Sequence, residues 1–176
     1  MNALIDHLGP SFDALPALLQ CAHRGTTRLH GKVRVQRGRG LAYLLGKVLG
    51  MPAAGPTVAL SVLGEHDAEG MRWQRDFDGR QLVSHFRRHG DFLLERMGPV
   101  QLYMRLGVEQ ARLVYHLDHA VVWGVPMPRA LAPRLIAFEA EDQGRYLFQV
   151  EVRLPLLGLL VAYSGHLQLQ APTPGL

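Results

Sequence analysis

From Pro56 onward the chain is written in short runs that alternate apolar and polar residues, broken by turn-forming residues roughly every eight to twelve positions. No other feature limits the fold as much. The runs cover residues 57–63, 71–77, 81–87, 92–97, 100–106, 112–117, 135–141, 146–154 and 159–169. Asp78-Gly79 is the clearest turn, because both central positions of a tight primed hairpin require positive φ. An earlier run, 29–36, sets Val33 and Val35 opposite Lys32 and Arg34. So many strands in sequence exceed a comfortable flat sheet, so the antiparallel meander is expected to curve into a closed or half-closed barrel.

Two short N-terminal helices complete the expected architecture, which is mainly β with an α+β character. One follows Ser11, with Pro16 in its first turn and Leu15, Leu18, Leu19 and Ala22 along one side. The other covers 41–49, where Leu41, Leu44, Leu45 and Val48 recur at helical spacing before Gly50 and Pro52 end it. Residues 123–133 hold three prolines and a glycine and read as a long connection or a short helical crossover. The chain, 1–176, reads as a single domain with a loose tail from Ala171, and it shows neither repeats nor a linker.

Composition excludes several classes. With 48% hydrophobic and 19% charged residues the chain is neither disordered nor fibrous. Its one cysteine, Cys21, permits no internal disulfide, and no leader segment is recognisable, so a cytoplasmic protein is expected. The most apolar stretch, 154–163, carries Pro155 and Gly158 and is about half the length a membrane span needs, so no transmembrane segment is expected. The net charge is +4, and residues 14–64 contain no acid while holding Arg24, Arg28, Lys32, Arg34, Arg37, Arg39 and Lys47. Such a window attracts anions or an anionic surface, or else is a solvated face balanced elsewhere. Tyr43 is its only aromatic, so nucleic acid is not an expected partner.

Strand periodicity puts Trp73, Arg75 and Phe77 on one face. With the aromatics inward, Arg75 is buried and needs an acceptor, for which Glu95 and Glu139 are the candidates. Tyr163 lies on the core face of the last strand and needs a partner for its hydroxyl. Trp73, Arg75, Phe77, Glu139 and Tyr163 are therefore the expected ligand-binding residues, with Arg75 either an anion anchor or half of a structural ion pair. No catalytic residue is assigned and no cofactor is expected. Ser84, Ser164 and Cys21 lack a nucleophile motif, and Gly38-Arg39-Gly40 reads as a strand-to-helix turn rather than a phosphate loop. His116, Asp118 and His119 lack a further ligand at metal-binding spacing, so no metal is expected. Glu139 and Glu141 form a paired-carboxylate candidate whose ordinary alternative is a solvated strand edge.

Across nearly its whole length the chain resembles a bacterial family of uncharacterised domains, domain of unknown function 4166. The resemblance rests on Trp73-x-Arg75-x-Phe77-x-Gly79, Ser84, Glu95-Arg96-x-Gly98-Pro99, Gly124-x-Pro126-x-Pro128, Ala132-Pro133, Glu139, Gly144-Arg145, Pro155-x-x-Gly158 and Tyr163-x-Gly165. It implies a stand-alone domain or an appendage to a saccharopine-dehydrogenase-like oxidoreductase, and it implies no activity. Three functions follow as expectations: a non-enzymatic module binding a small hydrophobic or amphipathic ligand with an anionic end, in a barrel that encloses a pocket or grips helix 41–49; an isomerase- or cyclase-like enzyme using Glu139, Tyr163 and Arg75; and an accessory domain for an oxidoreductase partner.

Overall fold

The computed structural model describes residues 2–68 and 70–170. The tail expected to be loose, 171–176, lies outside the described residues.

The alternating runs become ten long strands: β1 (Thr26–Arg37), β2 (Gly55–His66), β3 (Met71–Phe77), β4 (Arg80–His89), β5 (Phe92–Met97), β6 (Val100–Glu109), β7 (Arg112–Val122), β9 (Arg134–Asp142), β10 (Arg145–Leu154) and β11 (Gly158–Gln170). A two-residue strand, β8 (Val125–Pro126), rides on the end of β7 and is an extra element the sequence reading does not contain. Each long strand pairs antiparallel with its neighbour in sequence, and β1 pairs with β11, so the meander closes into a ten-stranded barrel. The Asp78-Gly79 turn takes the expected positive φ at both residues, 53° and 88°.

Closure is uneven. The β1–β11 pair runs from Arg28↔Gln170 to Arg37↔Val161 without a break. At Gly165 a Cβ would lie 2.8 Å from the Lys32 carbonyl oxygen and 2.9 Å from Val33 Cγ1, so this seam closes because that position has no side chain. By contrast, β7 and β9 are paired only at Leu113↔Glu139, Val114↔Phe138 and Tyr115↔Ala137. Beyond Tyr115 the two strands part, and β8 takes over the edge of β7.

Antiparallel order sorts the connections onto two ends. At the lower end lie the connection from β2 to β3 and the turns 90–91, 110–111 and 143–144, together with the N-terminal segment. That segment comprises α1 (Ala3–Leu8), a 3-10 turn (Gly9–Ala14) and α2 (Ala17–Ala22), and it buries Leu4, Leu8, Phe12, Leu15 and Leu19 against the sheet. Pro16 sits at the N-cap of α2. Helix α1 has no strong apolar period; the Asn2 side chain caps it by accepting from Leu4 N and Ile5 N, and its Nδ2 donates to the His23 carbonyl at 2.6 Å.

At the upper end α3 (Leu41–Val48) follows β1, as expected, but with its apolar side turned out. Ala42 and Gly46 face the barrel, while Leu41, Leu44 and Val48 are exposed. The Arg37 guanidinium lies where a Cβ at Gly46 would stand, 2.2 Å from Nη2, and donates to the carbonyls of Met51, Pro52 and Tyr43. The barrel therefore does not grip this helix. No helix among the described residues is long and apolar enough to cross a membrane.

Leu19, fully buried in α2, anchors the lower plug. Leu19→Ala is expected to lower unfolding free energy by about 2–5 kcal/mol, read from urea denaturation with the m-value unchanged.

Candidate functional site

The inward faces of the strands surround a cavity of about 90 Å³. Its wall is largely apolar and includes Met51, Met71, Met97 and Met104, four of the six methionines in the chain. Into it project Arg75, Glu95, Tyr115, Glu139, Tyr146 and Tyr163, with His23 and Trp73 at the lower side. Of the residues expected from sequence, Trp73, Arg75, Glu139 and Tyr163 line the cavity. Phe77 does not; it is buried behind the wall, its ring edge-on to Tyr163 at 5.3 Å.

The polar side chains form two groups. In the first, Glu139 is held at both oxygens. His23 Nε2 donates to Oε2 at 2.6 Å, and the Tyr115 hydroxyl donates to Oε1 at 2.7 Å. Burial is the largest single influence on this carboxyl and would raise its pKa, but the combined pull of His23 and the tyrosine hydroxyls prevails and holds it below the usual value. It is a carboxylate with its acceptors engaged. Glu141 is exposed and does not join it.

The second group surrounds Arg75. Its Nη1 donates to Ser84 Oγ at 2.9 Å and stands 4.0 Å from Glu95 Oε1, while the guanidinium lies 5.4 Å from the Trp73 ring centroid. Burial pulls its pKa down, but Tyr163, Glu95, Tyr115 and Glu139 outweigh that and raise it. The expected acceptor is thus Glu95, at ion-pair rather than hydrogen-bond distance, and Glu139 belongs to His23. Arg75 satisfies one of its five N–H donors on Ser84, leaving a fork of donors facing the cavity.

Three tyrosine hydroxyls converge on the same space. Burial raises the pKa of Tyr115, Tyr146 and Tyr163, so each keeps its proton. Tyr115 spends that proton on Glu139. The Tyr146 hydroxyl is buried beside Glu139; it meets no partner at full hydrogen-bond geometry, yet the carboxylate's charge and hydrogen-bonding pull still help hold its proton in place. The arrangement therefore offers a buried cation and the Tyr163 hydroxyl beside an apolar wall, a set that accepts a molecule with one polar end.

Below the cavity, Trp73 Nε1 donates to His66 Nε2 at 3.0 Å while His66 Nδ1 donates to the Gly25 carbonyl at 2.7 Å, and the His23 ring stacks on Trp73. This makes His66 a neutral imidazole. Burial, reinforced by His23, lowers its pKa to about 4. His116 and His119, considered as metal ligands, pair instead with Glu109 and Asp118. His23, Tyr115, Tyr146 and His66 are absent from the sequence-derived set. Tyr115 and Tyr146 were within reach of the same inward-face argument that found Tyr163, whereas nothing local marks His23.

Since unfolded histidine protonates near 6.5, the unfolded chain binds more protons than the folded one between about pH 6.5 and 4, and stability falls as pH falls through that window. His7, also lowered by burial and accepting from Leu106 N, adds to the same slope. Urea midpoints measured across this range are expected to decline in the natural protein and to decline less steeply in His66→Gln. Equal slopes would contradict the assignment. Tyr115→Phe removes a donor from the buried Glu139 carboxylate and is expected to cost about 1–3 kcal/mol in the same assay at neutral pH.

No curated protein and no solved structure matches the chain. The family model described as Domain of unknown function (DUF4166) matches residues 15–167. That span holds the whole of the signature read from sequence, whose Trp73, Arg75, Glu95, Glu139 and Tyr163 are the residues lining the cavity. A chain so matched over most of its length belongs to the DUF4166 family.

Proposed function

We propose that this protein is a non-enzymatic binding module whose barrel holds a small amphipathic ligand, apolar body against the methionine-rich wall and polar end on Arg75 and Tyr163. The observation that carries this reading is the unfinished hydrogen bonding inside the barrel. A buried guanidinium with one neutral acceptor and a glutamate at 4.0 Å, facing the same cavity as the Tyr163 hydroxyl, leaves donors that a ligand's carbonyl, hydroxyl or carboxylate would satisfy. Glu95 already supplies a negative charge to Arg75, which favours a ligand whose polar end carries at most one.

Size sets the second constraint. A cavity of about 90 Å³ has room for roughly three waters, whereas an apolar cavity that takes up benzene measures roughly 150 Å³. Larger guests require the wall to yield, and methionine is the side chain best suited to that, being unbranched and adaptable. Met51, Met97 and Leu135 sit toward the upper side, where β7 and β9 are unpaired. The helical plug closes the lower end, so exchange would run through the upper one.

The enzymatic alternative finds less support. A general base needs a free oxygen, and both oxygens of Glu139 are engaged, with its pKa held down rather than raised. Neither Tyr163 nor Arg75 hydrogen-bonds to it. The third reading, an accessory role beside an oxidoreductase, draws on the family resemblance alone.

Native mass spectrometry of protein purified from its own host is expected to show the 19.6 kDa chain carrying a small adduct that denaturation releases. The double variant Arg75→Met/Glu95→Gln removes both charges of the pair together and is expected to fold with the adduct gone. Bare protein from the host, or an adduct undiminished in the folded double variant, would overturn the reading.

A further inference from the structure

The large exposed hydrophobic side chains are confined to one part of the surface. All ten such residues lie at the upper end or the upper third of β9: Leu41, Tyr43, Leu44 and Val48 on α3, Trp123, Val125, Leu131 and Ile136 around the β7–β9 connection, and Leu156 and Leu157 in the β10–β11 turn. Leu156 stands almost fully in solvent at 96% exposure, and Val48 and Trp123 are about seven-tenths exposed, at 74% and 69%. The lower end shows no counterpart among the described residues. The barrel's outer wall does not continue the apolar surface either: along β1 it presents Arg28, His30, Lys32 and Arg34.

The same end carries excess positive charge. Exposed bases stand among the hydrophobic tips, Arg39 and Lys47 beside α3, Arg80 at the β3–β4 turn, Arg129 and Arg134 at the β7–β9 connection and Arg153 before the last turn. Among the described residues the acids there are three, fewer than the bases: Asp76, which accepts from Gly79 N, Asp78, exposed in the β3–β4 turn, and Glu151, which pairs with Arg153. The lower end, with Asp13, Asp91, Glu109 and Glu141 among its arginines, is mixed.

We infer that the upper end docks on an anionic lipid bilayer surface. Charge complementarity selects that occupant, and the form of the surface agrees with it. The apolar residues sit on separate protrusions with arginines between them, so leucine and tryptophan tips enter the acyl boundary while guanidinium groups meet lipid phosphates. A protein interface would instead present a continuous apolar centre with charges at its rim. This docking goes beyond the ligand reading and does not rest on it. If both hold, the parted β7–β9 strands and the cavity's upper side face the membrane from which an amphipathic guest would come.

Flotation of the full chain with vesicles separates the two questions, because it reads membrane binding whatever the cavity holds. The protein is expected to float with phosphatidylcholine vesicles containing about a third phosphatidylglycerol and far less with phosphatidylcholine alone, and to dissociate as salt rises toward about 0.5 M. Leu44→Glu/Val48→Glu and Leu156→Glu, which alter only exposed positions, are each expected to weaken partitioning about tenfold with the circular dichroism spectrum unchanged. Arg39→Glu/Lys47→Glu should do likewise, whereas Arg87→Glu/Arg88→Glu at the lower end should leave flotation intact. Three results would overturn the inference: no flotation with anionic vesicles, flotation undiminished by the upper-end substitutions, or a dimer in sedimentation velocity that Leu44→Glu/Val48→Glu dissolves, which would assign the surface to a second copy.

Discussion

Everything in this molecule depends on the pairing of its first long strand with its last. The other long strands of the meander bond to neighbours in sequence, contacts that cost little loop-closure entropy, whereas β1 and β11 meet across more than a hundred residues. That seam turns an open sheet with two exposed edges into a barrel with an inside. It also creates the chemistry of the interior, since Tyr163 on β11 faces Arg75 on β3 only when the sheet has curved round.

Once the barrel exists, its two ends differ, and so do its β1–β11 and β7–β9 seams. The N-terminal helices plug the lower end, and Asn2, bonded to the His23 carbonyl, ties that plug to the histidine that holds Glu139. The polar interior is therefore anchored from below. Above, the β7–β9 pairing stops at Tyr115, and Met51 and Met97 stand among the leucines and valines of the wall. A firm base under an adaptable upper side is what a container needs if it is to open without unfolding. The stability held in the Glu139 cluster and the openness near Arg75 are thus separate properties of one cavity.

Much of this was legible in the sequence because a two-residue period is a direct record of inside and outside. All ten long strands stand where the alternation put them, and the burial of Arg75 followed from its place between Trp73 and Phe77. Two kinds of information were not legible. The partner of Glu139 is His23, 116 residues away, and no local pattern announces a contact that only barrel closure brings about. Helix α3 was readable as a helix, but its apolar face implied burial and is exposed, because the Arg37 side chain occupies the space against Gly46 and turns the small residues Ala42 and Gly46 inward. The same departure from pattern exposes the hydrophobic upper end, so a misleading stretch of sequence marks a surface with its own physical demand.

The proposed binding role requires an interior that is an adaptable chamber rather than a filled core. Methyl spectra of protein labelled at methionine, titrated with hexanoate as a small amphiphile, test it directly. Met127 packs against the core but outside the cavity and serves as the internal reference. Saturable shifts of the Met51, Met71, Met97 and Met104 methyl resonances are expected, with Met127 unmoved. Resonances that stay fixed throughout the titration, or a shift at Met127 alone, would show the barrel to be packed shut and would contradict it.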